Sequence, residues 1–512
     1  MVPTFCSRCE DAVDEGCDPR DELAELDVLL ERLRLKRYDL KRKINRFHSP
    51  IIRHLPPDVM STIFEFCLPY FSDHHDHRLA FRSTEKDSSF PLSLGAVCSY
   101  WRDIAWSTSS LWSSLAVHVR SKHDPHIIAG VAQEWLARSG QLPLTIRVLA
   151  SPYDWKAMKT TSALADIINR YSTRWSYLDL GIPSSYFQHF HAIDNHAPIL
   201  KSIRFHSLDL MNLNFQLTCP RLERATLESF SMDLSDIQWD NLTHLNLHSM
   251  TTIDTFLILS KTPRLVVCRV SRYKKQYGLE NIGPLVLTSL RSLHLQSEFS
   301  EDILNNTIAP HLEELHLSNE YSPPIPMEDI TSFLKRSACS LRSFSMAFRN
   351  FTPHFETFMI SFGSIDTLSI TSFFDYTLDN HDLWNIFQLI AKVLSTQSIS
   401  PQHGFLPNLK ILEYTGKQRR PARGLDALGY PLPPADNAVR GPLHLFKLDL
   451  HSITRLPKKM MSYFSGLEER GVTVNVMSNS EDILQSSIDY FRRKEEFLRR
   501  DWADNLDLSL FS

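Results

Sequence analysis

The sequence predicts an α/β chain in two parts, a helical N-terminal region followed by a long solenoid of short repeated strands. Three observations carry this reading. Apolar residues recur at alternating spacings of three and four between Asp21 and Phe47. A second helical block lies between Ser49 and Val119. Beyond Leu142 a Leu-x-x-Leu-x-Leu unit returns again and again. The chain has 512 residues, 43% hydrophobic and 22% charged, enough apolar material for a large core.

Composition excludes several function classes. A net charge of -4 gives no general attraction to nucleic acid or to an anionic membrane. Glycine numbers only 15, where average usage would give roughly 36. Phosphate-cradling loops need clustered glycines, and neither GxGxxG nor GxxxxGK[ST] occurs. Nucleophile elbow, HExxH and paired-carboxylate motifs are also missing, so no enzymatic activity and no cofactor are expected. Eight cysteines are scattered from Cys6 to Cys339 behind an acidic start that lacks a secretory apolar segment. No run of about 18 apolar residues marks a membrane span. Free thiols in cytoplasm or nucleus are the expectation.

Residues 1–20 read as a disordered tail. Cys6, Cys9 and Cys17 have zinc-ligand spacing but lack a suitably placed fourth ligand, so no metal is expected there. From residue 21 to 48 one amphipathic helix is predicted. Leu23, Leu26, Leu30, Leu33, Leu40, Ile44 and Phe47 form its seam, which Arg37 alone interrupts. Asp21 is placed to cap it and Pro50 to end it. Such a seam can pair two chains weakly through residues 21–47, or dock on the chain's own next domain.

Residues 49–119 carry a compact helical pattern. Pro56 and Pro57 suit a helix start, and Val59, Ile63 and Phe66 share one face of that helix. Val97, Trp101 and Ile104 mark a second helix, and Leu111 with Trp112 closes a third. Residues 72–89 between them are polar and rich in His and Asp, as a surface loop would be. His74, His75, Asp76 and His77 have metal-ligand chemistry, but in such a loop a solvated cluster is the expected state.

This block resembles an F-box. The resemblance rests on Leu55-Pro56-Pro57-Asp58, Ile63-Phe64, Val97-Cys98, Trp101-Arg102-Asp103-Ile104-Ala105 and Leu111-Trp112. With the preceding helix and Ser49-Pro50-Ile51, it is similar to the large F-box families of mushroom-forming fungi. The motifs cover about residues 21–119; the remainder matches only in general plan. Two features depart from the pattern: the long 72–89 loop, and Asp58 where Glu is commoner. The resemblance implies docking to the Skp-type adaptor of a cullin-RING (SCF) ubiquitin ligase. It assigns Leu55, Pro56, Pro57, Ile63, Val97, Trp101, Leu111 and Trp112 to the adaptor interface or to the module core behind it. A helical cap that only seals the solenoid is the plainer alternative.

Residues 120–478 are predicted to form an irregular leucine-rich-repeat solenoid. Units start at Trp175, Leu200, Leu222, Leu242, Leu265, Leu290, Leu312, Leu341 and Ile365, at intervals of 25, 22, 20, 23, 25, 22, 29 and 24 residues. Leucine-rich repeats recur every ~20–29 residues. Proline stands two residues ahead of the first leucine at Pro198, Pro220, Pro263, Pro310 and Pro407, which suits entry to a strand. The ninth repeat position, usually Asn or Cys, holds Leu208, Phe230, Met250, Glu298 and Glu320, so no asparagine ladder is expected. Residues 417–437, rich in Pro, Gly and Arg, read as exposed or disordered. Residues 479–512 are expected to cap the array with a helix striped by Leu484, Ile488, Phe491 and Leu498.

Alternation along each strand turns the leucines inward and the residues between them outward. One outward column is Arg204, Thr226, Asn246, Arg269, His294, His316, Ser345 and Ser369; its neighbour is His206, Glu228, His248, Ser271, Gln296 and Ser318. Polar, mixed in sign and dense in histidine, these columns suit recognition of a protein target, with Arg204, Asn246, His248, Arg269, His294 and His316 as candidate contacts. His294 and His316 are close enough across two strands to suggest a metal, but a solvated polar face is the expectation. Titration of histidine near neutrality also suggests pH-tuned binding. The function expected is recruitment of a target to an SCF ligase. A repeat scaffold with no ligase role is the rival.

Overall fold

The computed structural model describes residues 19–48, 55–68, 89–120, 124–150, 158–207, 212–213, 216–229, 231–232, 237–272, 284–296, 300–318, 327–348, 358–360, 362–373, 388–393, 405–417, 443–450, 455–479 and 481–504. The Cys6, Cys9 and Cys17 tail, the His74 cluster, Ser49-Pro50-Ile51 and residues 418–437 lie outside them, as do Leu208, Phe230, Glu298 and Glu320. The chain divides into two compact units, residues 1–175 and 176–512.

In the first unit, helix α1 (Pro19–His48) starts two residues ahead of the expected Asp21. Proline is tolerated at a first helical position because its missing N–H would have no intrahelical partner. Asp21 and Glu22 then fall in the first turn, where the positive end of the helix dipole favours them. Every side chain from Arg20 to Ile44 is exposed.

Helices α2 (Pro57–Phe66), α3 (Phe90–Val97) and α4 (Ser99–Ser107), with a 3-10 turn at Ser109–Trp112, form a small bundle. Pro57 opens α2. The Cys98 thiol accepts from the Trp101 N–H at 3.5 Å and caps α4. Phe64 on α2 packs against Trp101 with ring centroids 5.0 Å apart, and Ser61 Oγ lies 2.9 Å from Thr108 Oγ1. Gly95 allows α3 to close on Trp106, since a Cβ at that position would meet the indole at 2.2 Å. Trp112 closes the bundle from below. Its Nε1 donates to the Ala105 carbonyl at 2.7 Å, and its ring lies 5.1 Å from Trp106 and 4.8 Å from Trp135.

Strand β1 (Ser114–Val119), helix α5 (Pro125–Arg138) and strand β2 (Leu144–Ala150) follow, then helix α6 (Met158–Asn169). The strands pair in parallel, with Leu115 opposite Ile146 and Val117 opposite Val148. Asp124 caps α5 by accepting from the His126 N–H at 2.8 Å, and Gly140, at φ +57, ends it in the left-handed conformation that glycine adopts freely. The helical pattern in the sequence stops near residue 119, but compactness continues to 175. Trp135 packs on Trp112 and donates to the Ser114 carbonyl at 3.0 Å, tying α5 to the bundle. Arg174 donates to the Leu142 carbonyl and the Ser139 hydroxyl, both at 2.7 Å, tying the end of the unit to the turn after α5.

The second unit is a parallel ladder. Strand β3 (Trp175–Ile182) opens it, followed by β4 (Ser202–Ser207), β6 (Arg224–Glu228), β8 (His244–His248), β9 (Val267–Ser271), β11 (Ser292–Gln296), β13 (Glu314–Ser318), β14 (Ser343–Phe348), β15 (Thr367–Phe373), β16 (Ile411–Lys417), β17 (Leu445–Leu450) and β18 (Thr473–Ser478). Short β19 (Glu481–Asp482) turns back antiparallel on β18. Apart from this ladder, β5 (Asn212–Leu213) pairs with β7 (Ser231–Met232), and β10 (Leu285–Val286) with β12 (Thr307–Ile308), as two small parallel sheets.

Every repeat shares a core column: Ile203, Ala225, Leu245, Cys268, Leu293, Leu315, Phe344, Leu368 and Leu412 lie opposite one another in sequence order and are buried. The prolines sit in turns rather than at strand entries, each four residues ahead of its strand. The turns are closed by backbone bonds such as Leu222 N–H to Cys219 O at 3.1 Å, Leu265 N–H to Thr262 O at 3.2 Å and Leu312 N–H to Ala309 O at 3.2 Å. Proline occupies the second residue of each, where its fixed φ is already that of the turn. After the strands, Ser229, Ser249 and Arg272 take positive φ. Their N–H groups donate to His248, Ser271 and Gln296 carbonyls of the following repeat at 2.9, 2.9 and 3.0 Å. Ninth-position Met250 is buried, an apolar plug in its turn.

Helix α7 (Ser184–Phe187), α8 (Thr252–Ser260), α9 (Ser300–Asn305), α10 (Met327–Ser337) and α11 (Lys458–Glu469) lie in the connections. Helix α12 (Ile483–Asp504) closes the unit, capped by Asp482, which accepts from the Leu484 N–H at 2.9 Å. Its most buried positions are Ile483 and Ser487, whose hydroxyl accepts from the Leu456 N–H at 3.0 Å. Leu484, Ile488 and Phe491 are half-buried beside them; Leu498 lies outside the described side chains.

Candidate functional site

Two surfaces emerge, one in each unit. In the first, α2 is held on α4 by Met60 and Phe64, both buried. The same helix turns Val59, Ile63 and Phe66 outward at spacings of four and three, with Ile63 41% and Phe66 87% exposed. Leu92 and Val97 on α3 are exposed as well. Of the residues the resemblance singled out, Pro56, Pro57, Ile63 and Val97 are exposed, and Leu55 and Trp101 half-buried. Leu111 and Trp112 are fully buried, so in this structure they pack the module and present nothing to a partner. Val59, Phe66 and Leu92 were absent from the site expected from the sequence, although Val59 and Phe66 already showed there as one face with Ile63.

In the second unit, the strand register sets the expected column in line: Arg204, Thr226, Asn246, Arg269, His294, His316, Ser345 and Ser369 are consecutive cross-strand neighbours. The column runs on through Glu413 and Lys447, joined by a 2.7 Å ion pair. Counting from Leu409 and Leu443 in the sequence would have reached both. Arg204 departs from the expectation. It is only 7% exposed and contributes little surface, while Asp179 opposite it is buried too.

The middle of this face is built from hydrogen bonds between repeats. Asn246 Nδ2 donates to Thr226 Oγ1 at 3.2 Å. The His248 ring bonds Ser271 Oγ, and His206 Nδ1 lies 3.8 Å from Glu228. Ser292 Oγ lies 3.0 Å from His294 Nε2 and donates to Glu314 at 3.0 Å. His294 and His316 lie with ring centroids 5.2 Å apart. Burial first, then the nearby Arg269 cation, hold His316 below the ordinary imidazole range; burial, Arg224 and Arg269 do the same to His244. A fixed cation beside the paired rings disfavours a second one, metal or proton. Among the described residues no three His, Cys, Asp or Glu side chains are grouped to hold a metal. Buried Cys219 and Cys268 are free thiols pushed up to about 12 by burial, hence neutral and unreactive at pH 7.

The lowered histidines give a signed prediction. Between its folded value and the ordinary 6.5, the unfolded chain binds a proton that folded His316 refuses. Its contribution to stability is complete above 6.5 and is lost progressively as pH falls from 6.5 through the lower folded value. The melting temperature is expected to drop between pH 7.5 and 5, and His316→Gln to flatten part of the drop. Superimposable melting-versus-pH curves for the two proteins would refute this.

Leucines on one side of a parallel ladder and a polar column on the other define the class: the second unit is leucine-rich-repeat-like. No protein-family model and no curated protein matches the chain. Among solved structures, the crystal structure of a TLR13–ssRNA13 complex is similar at 15% identity and a TM-score of 0.34, over 63% of this chain and 40% of that one. The chain therefore spans well under half the length of that neighbour. Among the described residues no helix is long and apolar enough to cross a membrane.

Proposed function

We propose that this chain is the target-recruiting subunit of an SCF-type ubiquitin ligase. Residues 49–119 serve as an F-box that docks on a Skp-type adaptor, and the repeat domain, residues 120–478, holds the target protein. One observation carries the reading. The helical bundle has a complete core of its own in Met60, Phe64, Ile104, Leu111 and Trp112, yet leaves Val59, Ile63, Phe66, Leu92 and Val97 in water. Apolar side chains that a module does not need for its own packing mark a surface for a partner. The polar column Asn246–Arg269–His294–His316 supports target recognition by hydrogen bonds rather than lipid binding. In this reading the protein carries out no chemistry. It raises the local concentration of target near a ubiquitin-loaded enzyme, in cytoplasm or nucleus.

The test is co-purification of the full chain with a Skp-type adaptor, wild type against the pair Ile63→Asp and Val97→Asp. Both positions are exposed, so the variant should melt like wild type while adaptor binding weakens by at least ~100-fold. Folded wild-type protein that ignores the adaptor would leave a repeat scaffold with no ligase role.

A further inference from the structure

Helix α1 is the largest apolar feature of the described chain that nothing covers. Leu23, Leu26, Leu30, Leu33, Leu40 and Ile44 form a seam about 33 Å long, and all are exposed. Exposure of such a stripe along a whole helix is unfavourable, so it needs an occupant. The charges on the same helix say which. Residues 20–31 carry Asp21, Glu22, Glu25, Asp27 and Glu31 against Arg20 alone, whereas residues 32–44 carry seven Lys and Arg against Asp39 alone. The helix is acidic in its first half and basic in its second.

From this polarity we infer that α1 pairs with α1 of a second copy as an antiparallel coiled coil. Antiparallel pairing lays each acidic half on a basic half and opposes the helix dipoles. It also keeps the seam in register. Leu26 meets Ile44 of the second copy, Leu30 meets Leu40, and Leu33 meets Arg37, whose stem can lie over the leucine while its guanidinium stays in water. Beside the seam, Asp27 faces Lys41 of the second copy, twice by symmetry. A parallel pair would instead set Glu22 against Asp27 and Lys36 against Lys41, like against like. The centre of the antiparallel pair has its own cost, because Arg34 and Lys36 each face their counterparts. This makes the pair weak and sensitive to the outer contacts.

The test uses the full chain, with mass measured by light scattering at tens of micromolar. Wild type is expected to dimerise, and Leu30→Asp with Leu40→Asp to leave a folded monomer. Orientation is read from charge reversal. Asp27→Lys alone and Lys41→Asp alone each set like charges face to face in an antiparallel pair, so each should weaken its own dimer roughly 10-fold. Mixing the two variants should restore association, since every outer pair is then opposite in sign. In a parallel pair each variant alone would associate more tightly than wild type, and that result overturns the proposal. So does a monomeric wild type, or a dimer indifferent to the Leu30→Asp and Leu40→Asp changes.

Discussion

Trp112→Ala is expected to cost the first unit ~3–5 kcal/mol, enough to unfold the helical module near physiological temperature. Trp112 is fully buried and touches three parts of the unit at once. Its ring meets Trp106 and Trp135 edge-on, Arg138 lies 5.1 Å above it, and its indole N–H fills the Ala105 carbonyl. Alanine removes that volume where helices α4 and α5 and the 3-10 turn converge, and leaves a buried carbonyl without its donor. Trp112→Phe keeps most of the volume and loses the hydrogen bond, so a cost of ~1–2 kcal/mol is expected. Thermal melts and hydrogen exchange over residues 57–138 would read both. A Trp112→Ala protein melting within a degree or two of wild type would refute the assignment. Adaptor binding lost in this variant would report on folding, which is why the binding test uses Ile63 and Val97.

Leu247→Asp is the second. Leu247 is buried between Leu227 and Val270 in the register of β6, β8 and β9. A carboxylate there loses the leucine's burial and must be desolvated or protonated, together on the order of 4 kcal/mol or more. Its neighbour Asn246 points to the open face, so Asn246→Ala should cost less than about 1 kcal/mol, chiefly its bond to Thr226. Each strand contacts only the strands beside it, so the damage should appear as lost amide protection over residues 224–271 before it reaches either end of the ladder. Equal effects of the two substitutions would show that the strand does not alternate as described.

Much of the second unit was legible because its signal is local. The spacing of Leu242, Leu245 and Leu247 sets a strand and its inward face, and repetition sets the column of neighbours. Asn246, Arg269, His294 and His316 could therefore be aligned without coordinates, and the register agrees. The same arithmetic gave no warning about Arg204. Alternation says which way a side chain points, not how deeply its neighbours cover it.

The prolines show a related limit. Their position two residues before a leucine was visible, but both a strand entry and the second residue of a turn satisfy that spacing. Only the bonds from Leu222 to Cys219, and their equivalents, decide between them. In the helical module the apolar residues were found together, yet periodicity could not divide Ile63 and Val97 from Leu111 and Trp112. Facing water or facing Trp135 depends on residues more than twenty positions away.

What the sequence determined by itself is therefore everything set by period and composition: a seam on α1, a helical block, a ladder of leucine-rich units with a polar open face. Tertiary structure alone decided which apolar residues are spare, where the first compact unit ends, and how deeply Arg204 is buried. These follow from contacts between distant segments, whose free energies belong to pairs of residues and leave no periodic trace in the chain.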